Sequence, residues 1–133
     1  EGASDVFSIL MRVLSGRKKK FVVFGDNYNT RDGTCIRDYI NLNDLVNAHI
    51  LSLKLDKSNT INLGTSKGTS MLELINSLEE ASGKKINFEI GKKRSGDPPV
   101  SIASSDKAKK LLNWKPTKKI KDTIKSIMNL NLK

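Results

Sequence analysis

Two polar segments hold the residue types that bind anions. The first runs Tyr28-Asn29-Thr30-Arg31-Asp32-Gly33-Thr34-Cys35-Ile36-Arg37-Asp38-Tyr39-Ile40 and delivers Arg37 to the start of an extended stretch. The second, Lys92-Lys93-Arg94-Ser95-Gly96-Asp97-Pro98-Pro99, is a basic loop that also carries a carboxylate. A planar guanidinium grips phosphate oxygens through two parallel N–H bonds, so two converging arginines suit a diphosphate. A carboxylate three residues from one of them can accept hydrogen bonds from ribose hydroxyls while staying clear of the phosphates. The residue types alone leave two readings open, a solvated charged loop and a binding site.

Other constellations do not form. There is no GxxGxxG or GxGxxG, and no tyrosine is followed four residues later by lysine. With His49 as the only histidine, neither a metal cluster nor a nucleophilic triad can be assembled in the usual way, and His49 reads as a packing or surface residue. Gly64-Thr65-Ser66-Lys67-Gly68-Thr69-Ser70 resembles a phosphate loop, but its lysine precedes the second glycine, and it reads as a connecting turn. Cys35 has no base beside it and no second cysteine to pair with. It reads as a space-filling residue of a cytoplasmic protein.

The net charge of +10, from 24 basic against 14 acidic residues, favours anionic partners: nucleic acid, an acidic membrane surface or phosphate-bearing small molecules. The basic residues are scattered over 18–20, 92–94 and the segments after Asp106, with little aromatic interleaving, which argues against a nucleic-acid surface. No run approaches the roughly 18 apolar residues of a membrane span. The acidic start, Glu1 to Asp5, is unlike a secretory signal, so a soluble chain is expected.

The elements that must position these residues follow from periodicity. Val6, Ile9, Leu10, Val13 and Leu14 mark a helix capped by Asp5 or Ser4 and ended by Ser15-Gly16. Strands are expected at 21–24, 38–40, 60–63 and 86–90. A second helix starts at Asn41 or Asn43, with Leu42, Leu45, Val46, Ile50 and Leu53 on its apolar side. Ser70 and Glu73 form a capping box for a helix that stops at Gly83. Pro98-Pro99 forbids helix, Ser104 to Asp106 caps a short one over 107–112, and Ile120, Ile124, Ile127 and Met128 mark the last. The pattern is α/β, with few short strands separated by long loops, as in a lobe elaborated on another domain.

The run Phe24-Gly25-Asp26-Asn27-Tyr28 through Arg37-Asp38-Tyr39-Ile40 closely resembles UDP-glucose 4-epimerases, members of the extended short-chain dehydrogenase/reductase group. The likeness continues through Asp44-Leu45, Ala48-His49, Asn62-Leu63-Gly64, Arg94-Ser95-Gly96-Asp97-Pro98 and Leu112-Asn113-Trp114-Lys115-Pro116, covering about residues 6 to 130. The tyrosine-to-arginine loop is specific to 4-epimerases; the tryptophan–proline segment is common to the superfamily, which also holds nucleotide-sugar dehydratases and decarboxylases.

The resemblance implies that the whole of 1–133 is the nucleotide-sugar-binding, C-terminal portion of such an enzyme. It implies that Phe24 borders the uracil, that Arg37 and Arg94 hold the UDP diphosphate, and that Asp97 binds the uridine ribose. Tyr39 would support Arg37, and Trp114 and Pro116 would pack. Ser101, seven residues after Arg94, falls where the family places a residue bordering the hexose; its small side chain implies room for an N-acetyl group. The implied parent enzyme is a homodimer that inverts C4 of a UDP-sugar through a 4-keto intermediate, using NAD held by an upstream glycine-rich portion. The catalytic residues belong to that portion, so this chain alone is expected to be inactive.

Overall fold

The computed structural model describes residues 5–131. Helix α1 (Val6–Leu14) begins where Asp5 accepts from Ser8 N, 3.0 Å, and its buried Leu10, Met11 and Val13 turn inward; the alternative cap, Ser4, lies outside the described residues. Strand β1 (Phe21–Phe24) buries alternate residues, Phe21 and Val23. It pairs in parallel with β4 (Phe88–Gly91), Phe21 opposite Phe88 and Phe24 opposite Gly91. Helix α3 (Met71–Ser82) carries the expected capping box and ends at Gly83, whose φ of 67° is left-handed. With α5 (Ile120–Asn131) these elements enclose the main core of Leu10, Phe21, Val23, Leu74, Ile75, Leu78, Ile86 and Ile124. Packing Leu74 and Leu78, each fully buried, is what makes a twelve-residue helix stable here.

A second sheet is smaller. Strand β2 (Ile36–Arg37) lies between β3 (Thr69–Ser70), antiparallel, and β5 (Val100–Ser101), parallel. It begins two residues before the stretch expected at 38–40. Asp38 leaves the ladder because its carboxylate accepts from Thr65 N at 2.9 Å, Thr65 Oγ1, Ser66 N at 3.1 Å and Ala103 N at 3.3 Å. The segment 60–63 pairs with no strand among the described residues; Ile61 and Leu63 pack instead on a second, smaller core. A strand is defined by its ladder, and hydrophobic pattern without a neighbour does not make one.

That second core joins Ala48, Ala108, Leu112 and Trp114, between α2 (Leu42–Ser52) and α4 (Asp106–Leu112). Here the structure reverses an expectation. The apolar stripe of α2 faces outward, with Leu42 69%, Ile50 56% and Leu53 85% exposed, while Asp44 and Ala48 are buried. Asp44 turns in because its carboxylate accepts from Thr117 N, Thr117 Oγ1 and Lys118 N, and its carbonyl takes the Trp114 indole N–H at 3.0 Å. Trp114 is therefore a packing residue, as expected.

Candidate functional site

The loop ahead of β2 is held from within. Gly33, at φ 80°, closes its turn, and Tyr28 N donates to Gly33 O at 2.8 Å. Asp32 then accepts from Thr34 N and Oγ1 and from Ser70 Oγ. Burial acts against the Asp32 carboxylate, but these hydrogen bonds outweigh it and hold its pKa below the usual value. Arg31 forks onto Glu73 with Nε and Nη2, which anchors the loop to the first turn of α3 and lowers the Glu73 pKa. The loop thus delivers Arg37 on a fixed strand.

Arg37 is partly buried, its side chain 23% exposed. Nη1 donates to Ile36 O at 2.8 Å and Pro98 O at 2.9 Å, and Nη2 donates to Asp97 Oδ1 at 3.1 Å. Asp97 reaches that position because the 94–97 turn closes through Asp97 N to Arg94 O, with Gly96 at φ 79°. On the other side of the turn the Arg94 guanidinium lies 3.7 Å from the centre of the Phe24 ring, a cation–π stack at the end of β1. Lys93 leans the other way, over Tyr28, and donates to Asn27 O.

Phe24, Arg37, Arg94 and Asp97 line one cavity of about 400 Å³. Its floor is apolar, from Val6, Ile9, Phe21, Val22 and Met71. Such a cavity joins a flat apolar surface for a base to charged groups for a phosphate. Ser101 is the exception among the expected residues. It pairs with Arg37 across β2 and β5 but does not line the cavity. Cys35 and Tyr39 do line it. Burial raises the Tyr39 pKa to about 12, and the ring meets Phe7 edge-on at 5.4 Å; no hydrogen bond joins it to Arg37, whose support comes from Asp97 and two carbonyls instead.

Lys18 is a wall residue that the sequence did not single out. It sits in a run of four basic residues, and only the fold shows which one meets the cavity. The turn at 64–70 is no phosphate cradle, because Asp38 already takes the amides of Thr65 and Ser66 and the capping box takes those of Ser70 and Glu73. His49 is an exposed residue whose Nδ1 lies 2.8 Å from Leu45 O. Among the described residues no group of three or more His, Cys, Asp or Glu could hold a metal, and no helix is long and apolar enough to cross a membrane.

The chain matches known proteins over nearly its whole length. The family model described as GDP-mannose 4,6 dehydratase matches residues 3–127. The chain belongs to that family. A UDP-glucose 4-epimerase of Lactobacillus helveticus is 45% identical over 113 residues, 82% of this chain and 34% of that enzyme. The structure of a UDP-glucose 4-epimerase from Bifidobacterium longum, in complex with NAD+ and UDP, superposes with a TM-score of 0.92 at 36% identity, covering 98% of this chain and 40% of the other. The UDP-Glc/GlcNAc 4-epimerase of Campylobacter jejuni gives 0.86 at 31% identity, covering 99% and 42%. The chain spans about a third of the length of the curated relatives it matches, and corresponds to their C-terminal part. The fold is that of the extended short-chain dehydrogenase/reductase lobe in these neighbours.

Proposed function

We propose that this chain is the UDP-sugar-binding portion of a UDP-glucose 4-epimerase. The observation that carries the reading is the single cavity joining Phe24, Arg37, Arg94 and Asp97, residues that are up to 73 positions apart in the chain (97 − 24). In this reading the base lies on the apolar floor by Phe24, the diphosphate meets Arg37 and Arg94, and Asp97 accepts from ribose hydroxyls. Arg94 must then leave the Phe24 ring, exchanging a stacked contact for a charge-assisted pair. Grip on the nucleotide fixes the distant sugar carbon without touching it, so binding energy is spent on orientation.

The 64–70 turn does not fit the phosphates of a dinucleotide, since Asp38 and the capping box hold the amides of Thr65, Ser66 and Ser70. The hydride chemistry and its base therefore fall to the upstream portion that the relatives possess, and the isolated chain is inactive. Likeness to relatives named for UDP-glucose and for UDP-Glc/GlcNAc supports a reading in which both are substrates, and the small Ser101, paired with Arg37 across the strands, supports acceptance of N-acetylated sugars. We also propose, from the resemblance of the 24–40 run, a cytoplasmic and homodimeric parent protein.

Titrating the 133-residue chain with UDP and, separately, with a random-sequence oligonucleotide tests the assignment. Saturable UDP binding that is weakened at least tenfold, but still measurable, in Arg37→Met supports it. Binding of the oligonucleotide with a steep salt dependence, and none of UDP, refutes it in favour of a basic nucleic-acid-binding module.

A further inference from the structure

We propose that Asp97 is a positioning residue for Arg37, so that ribose and phosphate recognition are coupled through one carboxylate; this rests on the nucleotide reading above. A guanidinium has five N–H groups. On Arg37 the two of Nη1 are taken by Ile36 O and Pro98 O, and one of Nη2 is taken by Asp97 Oδ1. What remains is Nε–H and one Nη2–H, a fork of two donors for phosphate oxygens. Three contacts from three directions fix the plane of that fork. Two of them are backbone carbonyls, which no side-chain substitution removes. The third is Asp97, held by its own turn, and it is the one anionic contact of the three.

The pair is also placed where its charge matters. Both side chains are more than two-thirds buried, at 23% and 31% exposure. Among the described residues Arg37 Nη2 is the only group bonded to the Asp97 carboxylate, through Oδ1, which leaves Oδ2 to accept from a ligand hydroxyl. One oxygen thus orients the phosphate-binding fork while the other faces the sugar. A nucleotide that engages both finds Arg37 already ordered and loses less side-chain freedom on binding. Among the described residues Arg94 has no such partner; it rests on Phe24 and must be recruited.

The test uses 2′,3′-dideoxy-UDP, which lacks the hydroxyls that a direct Asp97–ribose contact needs. Dissociation constants are measured by NMR titration of the 133-residue chain, with the Arg37 Nε–H resonance followed as a local reporter. Asp97→Asn is expected to weaken dideoxy-UDP about tenfold and to broaden the Arg37 Nε–H signal. In an Arg37→Met background the same change is expected to cost no further affinity. Asp97→Glu, which keeps the charge, is expected to retain dideoxy-UDP affinity within about threefold, and it stands in if the asparagine variant does not fold. Equal dideoxy-UDP affinity in wild type and Asp97→Asn, or additive losses in the double variant, overturns the positioning role while leaving the nucleotide site intact. Absence of UDP binding to the wild-type chain overturns both.

Discussion

Removing the Asp38 carboxylate is expected to leave three backbone amides, on two segments, without their acceptor. Asp38→Ala deprives Thr65 N, Ser66 N and Ala103 N of their acceptor; Thr65 Oγ1 retains Lys67 O at 2.8 Å. The bonds from Thr65 N and Ala103 N are part-buried and that from Ser66 N is exposed, so water replaces some of the loss, and about 1 kcal/mol per donor is the upper scale. The total is about 3 kcal/mol. For 133 residues the entropy of unfolding is about 280 cal/mol/K, which converts that loss to a fall of about 10 °C in the melting temperature. Asp38→Asn keeps one carbonyl oxygen but turns an NH₂ group toward two donors, so it should fall between wild type and alanine. Thermal unfolding followed by circular dichroism gives all three values. A melting temperature within 2 °C of wild type for Asp38→Ala would refute the account, since it would mean that the carboxylate contributes no more than a surface charge.

Three further outcomes follow from single features. Gly33→Ala places a Cβ on the Asp26 carbonyl oxygen at a left-handed φ of 80°, and is expected to cost at least about 3 kcal/mol, read as a shifted urea midpoint; a shift under about 1 kcal/mol would mean that the loop has another conformation. The hydrogen bonds from Arg31 hold the folded-state Glu73 pKa below its unfolded value, so Glu73 contributes stability that is present above about pH 5 and lost as pH falls through the depressed folded value. Urea midpoints of wild type and Glu73→Gln should therefore converge on acidification from pH 6 to pH 3, and parallel curves would contradict this. On the proposed reading, Ser101→Tyr in an epimerase that contains this chain is expected to reduce turnover of UDP-GlcNAc at least tenfold while leaving UDP-glucose within about threefold; equal effects on both would remove Ser101 from the sugar side.

What could be read from the sequence was what local chemistry decides. Ser70 and Glu73 satisfy each other's neighbouring amides within one turn, and Gly83 ends that helix by a conformation that other residues avoid, so both were legible. The two-residue strands at 69–70 and 100–101 were not, because no periodicity can be expressed in two positions. The facing of α2 was also illegible. Its stripe of Leu42, Val46 and Ile50 is a proper amphipathic pattern, yet what turns the helix is Asp44 bonding to Thr117 and Lys118, more than 70 residues away. The site divides in the same way. Arg37, Arg94 and Asp97 were named from residue type and resemblance, and the fold puts them on one cavity. Their pairing, Arg37 with Asp97 and Arg94 with Phe24, rests on contacts 60 and 70 residues apart that no spacing rule anticipates.

The outward stripe of α2 governs how copies of this chain meet in solution. A charge of +10 repels an approaching copy over about one Debye length, roughly 10 Å at 0.1 M salt. Leu42, Val46, Ile50 and Leu53 attract only on contact. Dilute salt therefore keeps the chains dispersed behind an electrostatic barrier. Concentrated salt collapses that barrier and leaves the contact attraction untouched, so the colloidal stability of the chain declines as ionic strength rises.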